Sequence, residues 1–245
     1  MTAIKHRVLV TGFGPFRQYK DNPSWLAVRT LHDTVIHTSA APAHHPHAPP
    51  PAPEPIHITA LEVPVVYDAV LSIVPGLHAA PPVLSPGRPD DFPPPPEDGY
   101  SLIVHVGVSR AGPLRLETYG DKTGYNKPDH EGKLADVVDE ASSTRGFADE
   151  RYASFPERLR IVIDPDRLCE RCAEDGVNLV PSTDAGHYLC EFILYCSLAE
   201  SSLAGKATPV LFIHCPPVDE PLSTVEVAAG LKSIVANAFS CVREG

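Results

Sequence analysis

The stretch HRVLVTGFGPF, residues 6–16, decides the fold class, because an apolar run is followed directly by a glycine-rich turn. The run HRVLV (6–10) has the continuous apolar character of a strand that is buried on both faces. Strands of that kind belong to parallel sheets with helices on both sides. The turn TGFGPF (11–16) then lies at the carboxyl end of the strand, where open α/β sheets bind their ligands.

The same alternation continues along the rest of the chain. Further buried strands are predicted at HITALEV (57–63), SLIVHV (101–106), LRIVI (159–163) and PVLFIH (209–214). Helices are predicted at WLAVRTLHD (25–33), VVYDAVLSIV (65–74), PDRLCERCAED (165–175), GHYLCEFILYCSLAES (186–201) and residues 223–242. Buried strands that alternate with helices predict a three-layer α/β/α sandwich with a central, mostly parallel sheet. No linker divides the pattern, so we expect a single domain over residues 1–245.

Two proline-rich segments, at about residues 38–56 and 79–98, interrupt this alternation and hold roughly half of the 28 prolines. Such composition supplies few side chains to a packed core and is typical of extended loops. We interpret both segments as loop insertions on either side of one strand–helix unit. A proline-rich ligand for a recognition domain is the alternative interpretation.

Charge and cysteine content restrict the partners and the compartment. The formal net charge of −11 argues against nucleic acid and against an anionic membrane as a partner. The apolar run Val8 to Val10 is too short for a signal-peptide core, and no run is long enough to span a bilayer. We therefore expect the six cysteines to stay reduced and the protein to be cytoplasmic.

Three features suggest other chemistry, and each has a simpler explanation. The turn TGFGPF lacks the third glycine and the lysine of phosphate-binding loops, so Phe13 and Phe16 either line a small pocket or cap the core. The histidines at positions 44, 45 and 47 could bind a metal, but a proline-rich segment gives them no fixed geometry. Cys169 and Cys172 form a CxxC pair inside a predicted helix, without the second pair that a zinc site needs.

Cys190 and His214 stand at positions where reactive groups are common. Cys190 lies in the first predicted turn of a helix, where the helix dipole favours the thiolate and the free backbone N–H can stabilise an oxyanion. His214 ends the strand PVLFIH and can therefore meet a helix N-terminus at the edge of the sheet. A buried, unreactive thiol remains the alternative for Cys190.

Four segments, in order, resemble pyroglutamyl-peptidase I, a family of cysteine peptidases. They are TGFGPFRQYKDNPSW (11–25), HVGVSRAGPLRLE (105–117), DAGHYLCEFILYCSL (184–198) and FIHCPP (212–217). The resemblance covers most of the chain apart from the proline-rich segments and residues of about 131–158. The patterns GFGPF…NPSW and AG-x-YLC are specific to the family, and HVGVS is similar to its animal and fungal branch.

The resemblance implies a hydrolase that cuts the bond after an N-terminal pyroglutamyl residue and uses neither a metal nor an organic cofactor. It implies that Cys190 is the nucleophile, that His214 is its base and that Glu117 orients the imidazole. Those residue types suit the chemistry, because a thiolate attacks the carbonyl and a histidine protonates the leaving amine.

The resemblance also assigns a binding pocket. Phe13 and Phe16 fall where the family holds the flat lactam ring, and Asn22 either braces the loops near the site or caps a helix. Lys122 departs from the family, which carries asparagine there, so restoring asparagine should improve the hold on the ring. The departure leaves open a weakened relative that binds pyroglutamyl peptides without turnover. The proline-rich loops leave open an interaction protein.

Overall fold

The computed structural model describes residues 4–39, 52–84, 92–205 and 207–241, which form a central sheet flanked by helices. The strands are β1 (His6–Phe13), β2 (Thr34–His37), β3 (Pro55–Val63), β4 (Leu102–Val108), β5 (Leu114–Glu117), β6 (Tyr119–Asp121), β7 (Val137–Asp139), β8 (Thr144–Arg145), β9 (Arg158–Arg160), β10 (Leu179–Ser182) and β11 (Val210–Cys215). The helices are α1 (Pro23–Val28), α2 (Tyr67–Leu77), α3 (Pro165–Glu174), α4 (Leu189–Leu203) and α5 (Thr224–Ala238), with 3-10 turns at Arg29–Leu31 and Glu150–Tyr152.

The main sheet has seven strands in the order β10-β5-β11-β4-β1-β3-β2. β1 is parallel to both β3 and β4, and β4 is parallel to β11. The carboxyl ends of these four strands therefore meet at one edge of the sheet. β5 runs antiparallel to β11, and β2 runs antiparallel to β3. The predicted mostly parallel sheet is confirmed.

Helices cover both faces of this sheet. α5 packs with α1 and α3 on one face, where a Cβ added at Gly230 of α5 would meet the side chain of Leu114. α2 packs with α4 on the other face, where Leu77 belongs to one cluster of buried residues with Leu9 and Ile103. Successive strand residues point to opposite faces, so each strand supplies both interfaces. The predicted three-layer α/β/α arrangement is confirmed.

α4 is buried along almost its whole length. The helix buries residues on all sides, including Leu189, Phe192, Ile193 and Leu194 in its first half. A helix that is apolar all round is characteristic of a buried core element. Burial of each such side chain contributes about 1.5–3 kcal/mol. The first turn of α4 is consequently fixed relative to the sheet.

Helix boundaries follow the capping residues. Asp164 caps α3 by accepting hydrogen bonds from the amides of the first turn, directly ahead of Pro165. Gly176 follows the same helix with φ of 78°, a left-handed conformation that glycine adopts without strain, as predicted for a helix stop. α4 begins at Leu189 and not at Gly186, because the intervening residues form a turn with positive φ at Gly186 and His187.

The strand predicted at LRIVI (159–163) is wrong as a member of the buried sheet. The chain forms only β9 there, which pairs antiparallel with β6 in a separate two-stranded sheet. Ile161 and Ile163 are buried while Val162 is half exposed, so the segment lies along the edge of the core. An apolar run of this length is compatible with a strand of the main sheet and with a segment at the edge of the core. Which of the two forms depends on contacts with distant parts of the chain.

The first proline-rich segment is shorter than predicted. Pro55 already belongs to β3, and Glu54 exchanges hydrogen bonds with Thr38 at 2.9 Å, so the insertion ends before residue 54. Residues 40–51, with the three histidines at 44, 45 and 47, lie outside the described residues. Part of the second segment, residues 85–91, also lies outside them. None of the helices described here has the length and apolar character required to cross a bilayer.

Candidate active site

Glu117 and His214 form a buried hydrogen-bonded pair under the carboxyl edge of the sheet. Nδ1 of His214 lies 2.7 Å from Oε1 of Glu117, and the two side chains are 6% and 1% exposed. Glu117 is the register partner of Phe212 in the antiparallel β5–β11 pair, so Glu117 lies two residues deeper in the sheet than His214, on the same face. Because Nδ1 donates to the carboxylate, Nε2 is the ring nitrogen left to act at the edge.

Cys190 lies in the first turn of α4, against the end of β4. Its N-cap is Tyr188, so the backbone N–H of Cys190 has no acceptor within the helix. A Cβ added at Gly107 would come within 2.8 Å of the Cys190 sulfur, so glycine is needed for this close approach. Gly107 is the register partner of His214, which brings the thiol and the imidazole to the same point of the sheet.

His214 is held in its cationic form by its neighbours. Burial alone would lower the pKa of the imidazole, but the negative charge of Cys190, a hydrogen bond to Cys190 and the bond to Glu117 raise it from 6.5 to about 9. At neutral pH the imidazole of His214 therefore carries a proton. A protonated imidazole beside a thiol can act as a proton donor.

The other thiols near the site lie in apolar surroundings. Cys215 follows His214 in β11 and is completely buried, as is Cys196 further along α4. Burial raises the pKa of each of these two thiols to about 12. Cys190 is half-buried. Of these three thiols, the one in the first turn of α4 is therefore accessible to solvent.

Phe13 and Phe16 lie on the β1 side of Cys190. Thr11 of β1 is the register partner of His105 of β4. Phe13 follows Thr11 by two residues, and Gly107 follows His105 by two residues. Phe13 and Gly107 therefore face the same side of the sheet. Its side chain is buried, whereas Phe16 is half-buried and packs against Tyr188, with ring centroids 5.5 Å apart.

Asn22 fulfils both of the roles considered for it. Its Oδ1 accepts from the backbone N–H of Ser24 at 3.1 Å and so caps α1. Its Nδ2 donates to the carbonyl of Gly14 at 3.1 Å and braces the turn that carries Phe16. The two interpretations from the sequence are therefore compatible.

The side chain of Lys122 binds another segment of the backbone. Its ammonium donates to the carbonyls of Ala153 and Phe155 at 3.1 and 3.2 Å. The lysine thereby attaches the chain after β6 to the segment before β9.

A group with metal-ligand chemistry lies near the start of α4. Ligand atoms of Asp121, His187 and Glu191 lie within 4.8 Å of one another. The guanidinium of Arg158 already donates to both oxygens of Asp121, at 2.6 and 2.9 Å. Glu191 accepts from the backbone amides of Asp121 and His187. Because protein donors occupy both carboxylates, we interpret the group as a hydrogen-bond network.

The sequence did not single out Glu191, Tyr188 or Gly107. Glu191 is a charged residue within the apolar run LCEFILYC. A carboxylate is rarely buried without hydrogen-bond partners, so this position could have indicated a buried polar contact. The close approach at Gly107 depends on the packing of α4 against β4, which no local pattern encodes.

Comparison with known proteins decides the family. The chain is 30% identical over 242 residues to pyroglutamyl-peptidase 1 of Homo sapiens, a match that covers 96% of this chain and 90% of that protein. The chain belongs to the pyroglutamyl-peptidase I family. Pyrrolidone-carboxylate peptidase of Bacillus subtilis is 23% identical over 231 residues, covering 92% of this chain and 84% of its own length. No family model matches the chain.

The fold of the pyroglutamyl-peptidase I family is the fold seen here. The crystal structure of pyroglutamyl peptidase I from Bacillus amyloliquefaciens superimposes with a TM-score of 0.70 at 20% identity and covers 98% of this chain and 100% of that chain. The family resemblance stated from the four sequence segments is therefore confirmed, and so is the expected α/β architecture.

Proposed function

We propose that this chain is a cysteine peptidase that hydrolyses the bond after an N-terminal pyroglutamyl residue of peptides. Cys190 is the nucleophile, His214 the general acid and base, and Glu117 the residue that orients the imidazole. The observation that carries the proposal is the buried Glu117–His214 hydrogen bond, together with a His214 pKa that Cys190 and Glu117 raise to about 9 against the effect of burial.

Acylation follows from this arrangement. The Cys190 thiolate attacks the pyroglutamyl carbonyl carbon, a C–S bond forms and the carbonyl oxygen becomes an oxyanion. The free N–H of Cys190 at the start of α4 is suited to stabilise that oxyanion. Nε2–H of His214 then gives its proton to the leaving nitrogen, the C–N bond breaks and a thioester remains.

Deacylation uses the same histidine in the opposite sense. His214 is neutral once it has given up its proton, so Nε2 can take a proton from an attacking water. The C–S bond breaks, pyroglutamic acid leaves and the thiolate–imidazolium pair is restored. Glu117 holds the ring in one tautomer throughout and stabilises its cationic form.

Strand order supports one direction for the bound substrate. Cys190 lies over β4, with β11 on one side and β1 on the other. His214 on β11 must reach the leaving nitrogen, so the departing peptide extends toward β11. The lactam ring then lies on the β1 side, near Phe13 and Phe16. An uncharged ring suits apolar walls, whereas a free ammonium would need a polar partner there.

Two further proposals concern the whole chain. We propose a cytoplasmic location, supported by the six free cysteines, since oxidising compartments favour disulfides. Cell fractionation with an antibody to the chain tests this, and recovery in a secretory fraction would contradict it. We also propose that residues 1–245 form one peptidase domain, because a single sheet takes its strands from residues 6 to 215.

Turnover of fluorogenic amides tests the activity. Pyroglutamyl amide should be hydrolysed, the matching prolyl amide should not, and a thiol alkylator should abolish the activity. Equal turnover of both amides would contradict the substrate assignment. Activity that persists after stoichiometric alkylation of Cys190 would contradict the nucleophile.

A further inference from the structure

Glu191 follows the nucleophile directly and is a buried carboxylate, with its side chain 3% exposed. Its Oε1 accepts from the backbone N–H of Asp121 at 3.2 Å, and its Oε2 accepts from the backbone N–H of His187 at 2.8 Å. Nδ1 of His187 lies 3.0 Å from the same Oε2. All three of these N–H groups can donate a hydrogen bond, and an ionised carboxylate only accepts hydrogen bonds.

These contacts join two parts of the site that are far apart in sequence. Asp121 ends β6, which follows β5 and Glu117 after a single residue. His187 lies in the turn that leads to Tyr188, the N-cap of the helix that carries Cys190. The carboxylate of Glu191 therefore connects the chain that carries the orienting glutamate to the turn that carries the thiol.

The turn needs such support because its backbone is strained. His187 has φ of 42°, in the left-handed region that residues other than glycine seldom adopt. A conformation of this kind persists only when surrounding contacts enforce it. Glu191 contacts His187 through both the backbone N–H and the ring, so it acts directly on the strained residue.

Asp121 is itself fixed in place. Arg158 donates to both of its carboxylate oxygens, and the hydroxyl of Tyr125 donates to its backbone carbonyl. The amide that reaches Glu191 thus belongs to a residue with little freedom. Glu191 consequently has a rigid partner on one side and a strained turn on the other.

We propose that Glu191 is a positioning residue, which fixes the turn before α4 and thereby sets the sulfur and the backbone N–H of Cys190 relative to His214. Burial raises the pKa of the Glu191 carboxyl, so its ionised form is maintained at an energetic cost. The inference rests on the proposed role of Cys190 as nucleophile.

Glu191→Gln tests it, since glutamine keeps the shape but places an NH₂ group opposite an N–H donor. The turnover of pyroglutamyl amide and the rate constant for alkylation of Cys190 by iodoacetamide are measured together. We expect kcat to fall about 10- to 100-fold, because small misplacements of reacting groups have effects of that size. KM should change by less than about threefold, since Phe13 and Phe16, which are proposed to contact the lactam ring, are unchanged. Alkylation should slow as well.

Glu200→Gln is the matched control on the same helix. Glu200 is equally buried, and it accepts from Arg151 at 2.5 Å through each oxygen and from Tyr152 at 2.8 Å. Its loss should lower the melting temperature and leave kcat and the alkylation of Cys190 unchanged. Glu191→Asp keeps two acceptor oxygens on a shorter side chain, so its kcat should lie between those of wild type and Glu191→Gln.

A Glu191→Gln enzyme whose kcat matches that of Glu200→Gln would overturn the inference and leave the proposed function intact. If Glu191→Gln does not fold, Glu191→Asp decides, and wild-type kcat and alkylation in that variant would overturn it. Retention of turnover by Cys190→Ala would instead contradict the proposed function.

Discussion

In the proposed mechanism, the protonation of His214 sets the pH range of the reaction. Its pKa is raised from 6.5 to about 9, so the imidazolium and its interactions contribute stability that is fully present below pH 6.5 and is lost as pH rises through about 9. In that mechanism the same proton is transferred to the leaving nitrogen. We therefore expect kcat/KM for pyroglutamyl amide to fall above about pH 9. A decline centred near pH 6.5 would show that the ion pair does not form.

Glu117→Gln should retain the fold and lose turnover. An amide cannot stabilise the imidazolium, and it can hold the ring in the wrong tautomer, so we expect a loss of roughly 10²-fold or more in kcat. The alkaline decline should move to lower pH, because one of the contacts that raise the pKa of His214 is gone. Circular dichroism checks the fold. Turnover near that of wild type would make Glu117 a structural residue only.

The reactivity of the thiols is the sharpest test of the nucleophile. Burial raises the pKa of Cys196 and Cys215 to about 12 and that of the half-buried Cys169 to about 11. A limiting dose of iodoacetamide at mildly acidic pH should therefore label Cys190 first, and inactivation should follow that label. Cys190→Ser should be nearly inactive, whereas the same change at Cys196 or Cys215 should preserve most activity.

Peptide mapping by mass spectrometry measures the label at each cysteine. Cys215 is the relevant competitor, since it neighbours His214 along β11. Its side chain points to the opposite face of the sheet, so we expect it to stay unlabelled. Labelling of Cys215 in proportion to lost turnover, with Cys190 unmodified, would contradict the assignment.

At the scale of elements, the sequence predicted those strands and helices whose patterns are long. β1, β3, β4 and β11 are apolar runs bounded by turns, and each was found where it was expected. β5 and β10 are four residues each, and Pro181 interrupts β10, so neither gives a periodic signal. Their pairing around Glu117 is tertiary information. The position of the glutamate beside His214 could therefore be inferred only from the family resemblance.

The sequence indicated which residues belong to the candidate site, but it did not indicate how they are placed relative to one another. Cys190 in a first helical turn and His214 at a strand end follow from local patterns. Their meeting over Gly107 depends on how α4 packs against β4. The contacts of Glu191 likewise join elements about 70 residues apart, which no local pattern could reveal.

The segment after β6 carries a prediction at the same scale. Lys122 donates to two carbonyls, those of Ala153 and Phe155, and asparagine is too short to replace both bonds. We expect Lys122→Asn to lower the free energy of unfolding by about 1 kcal/mol, as measured by urea titration. The family resemblance by itself predicts a gain in kcat/KM for this variant. Because the ammonium of Lys122 is bound to these two carbonyls, we expect kcat/KM to stay unchanged instead.

Lys20→Asn is the control, since it makes the same chemical change at an exposed residue with no hydrogen bond to any described residue. Its stability should match that of wild type. An increase in kcat/KM for Lys122→Asn, with unchanged stability, would show that position 122 contacts the lactam ring after all.

At the scale of the molecule, the described residues that flank the proline-rich segments lie at the edge of the sheet opposite to the site. The site uses the carboxyl ends of β1, β4 and β11. The first segment leads into the amino end of β3, and the second leads into the amino end of β4. Ligand sites in α/β sheets lie at the carboxyl edge. We therefore expect changes in the length of an insertion whose flanking residues lie at the amino edge to leave substrate binding unchanged.

Replacing residues 41–51 with a short glycine-serine link should therefore preserve folding and kcat/KM. Thr38 and Glu54 already pair across the ends of the segment, so a short connection can close it. Shortening such a loop changes the entropic part of the free energy of loop closure by less than about 1 kcal/mol. A deletion that extends through residue 54 is the control, because Glu54 also contacts Lys5 and His6 at the amino edge. That control should melt at a lower temperature with unchanged kcat/KM, whereas aggregation of the shorter deletion would show that the segment packs against the domain.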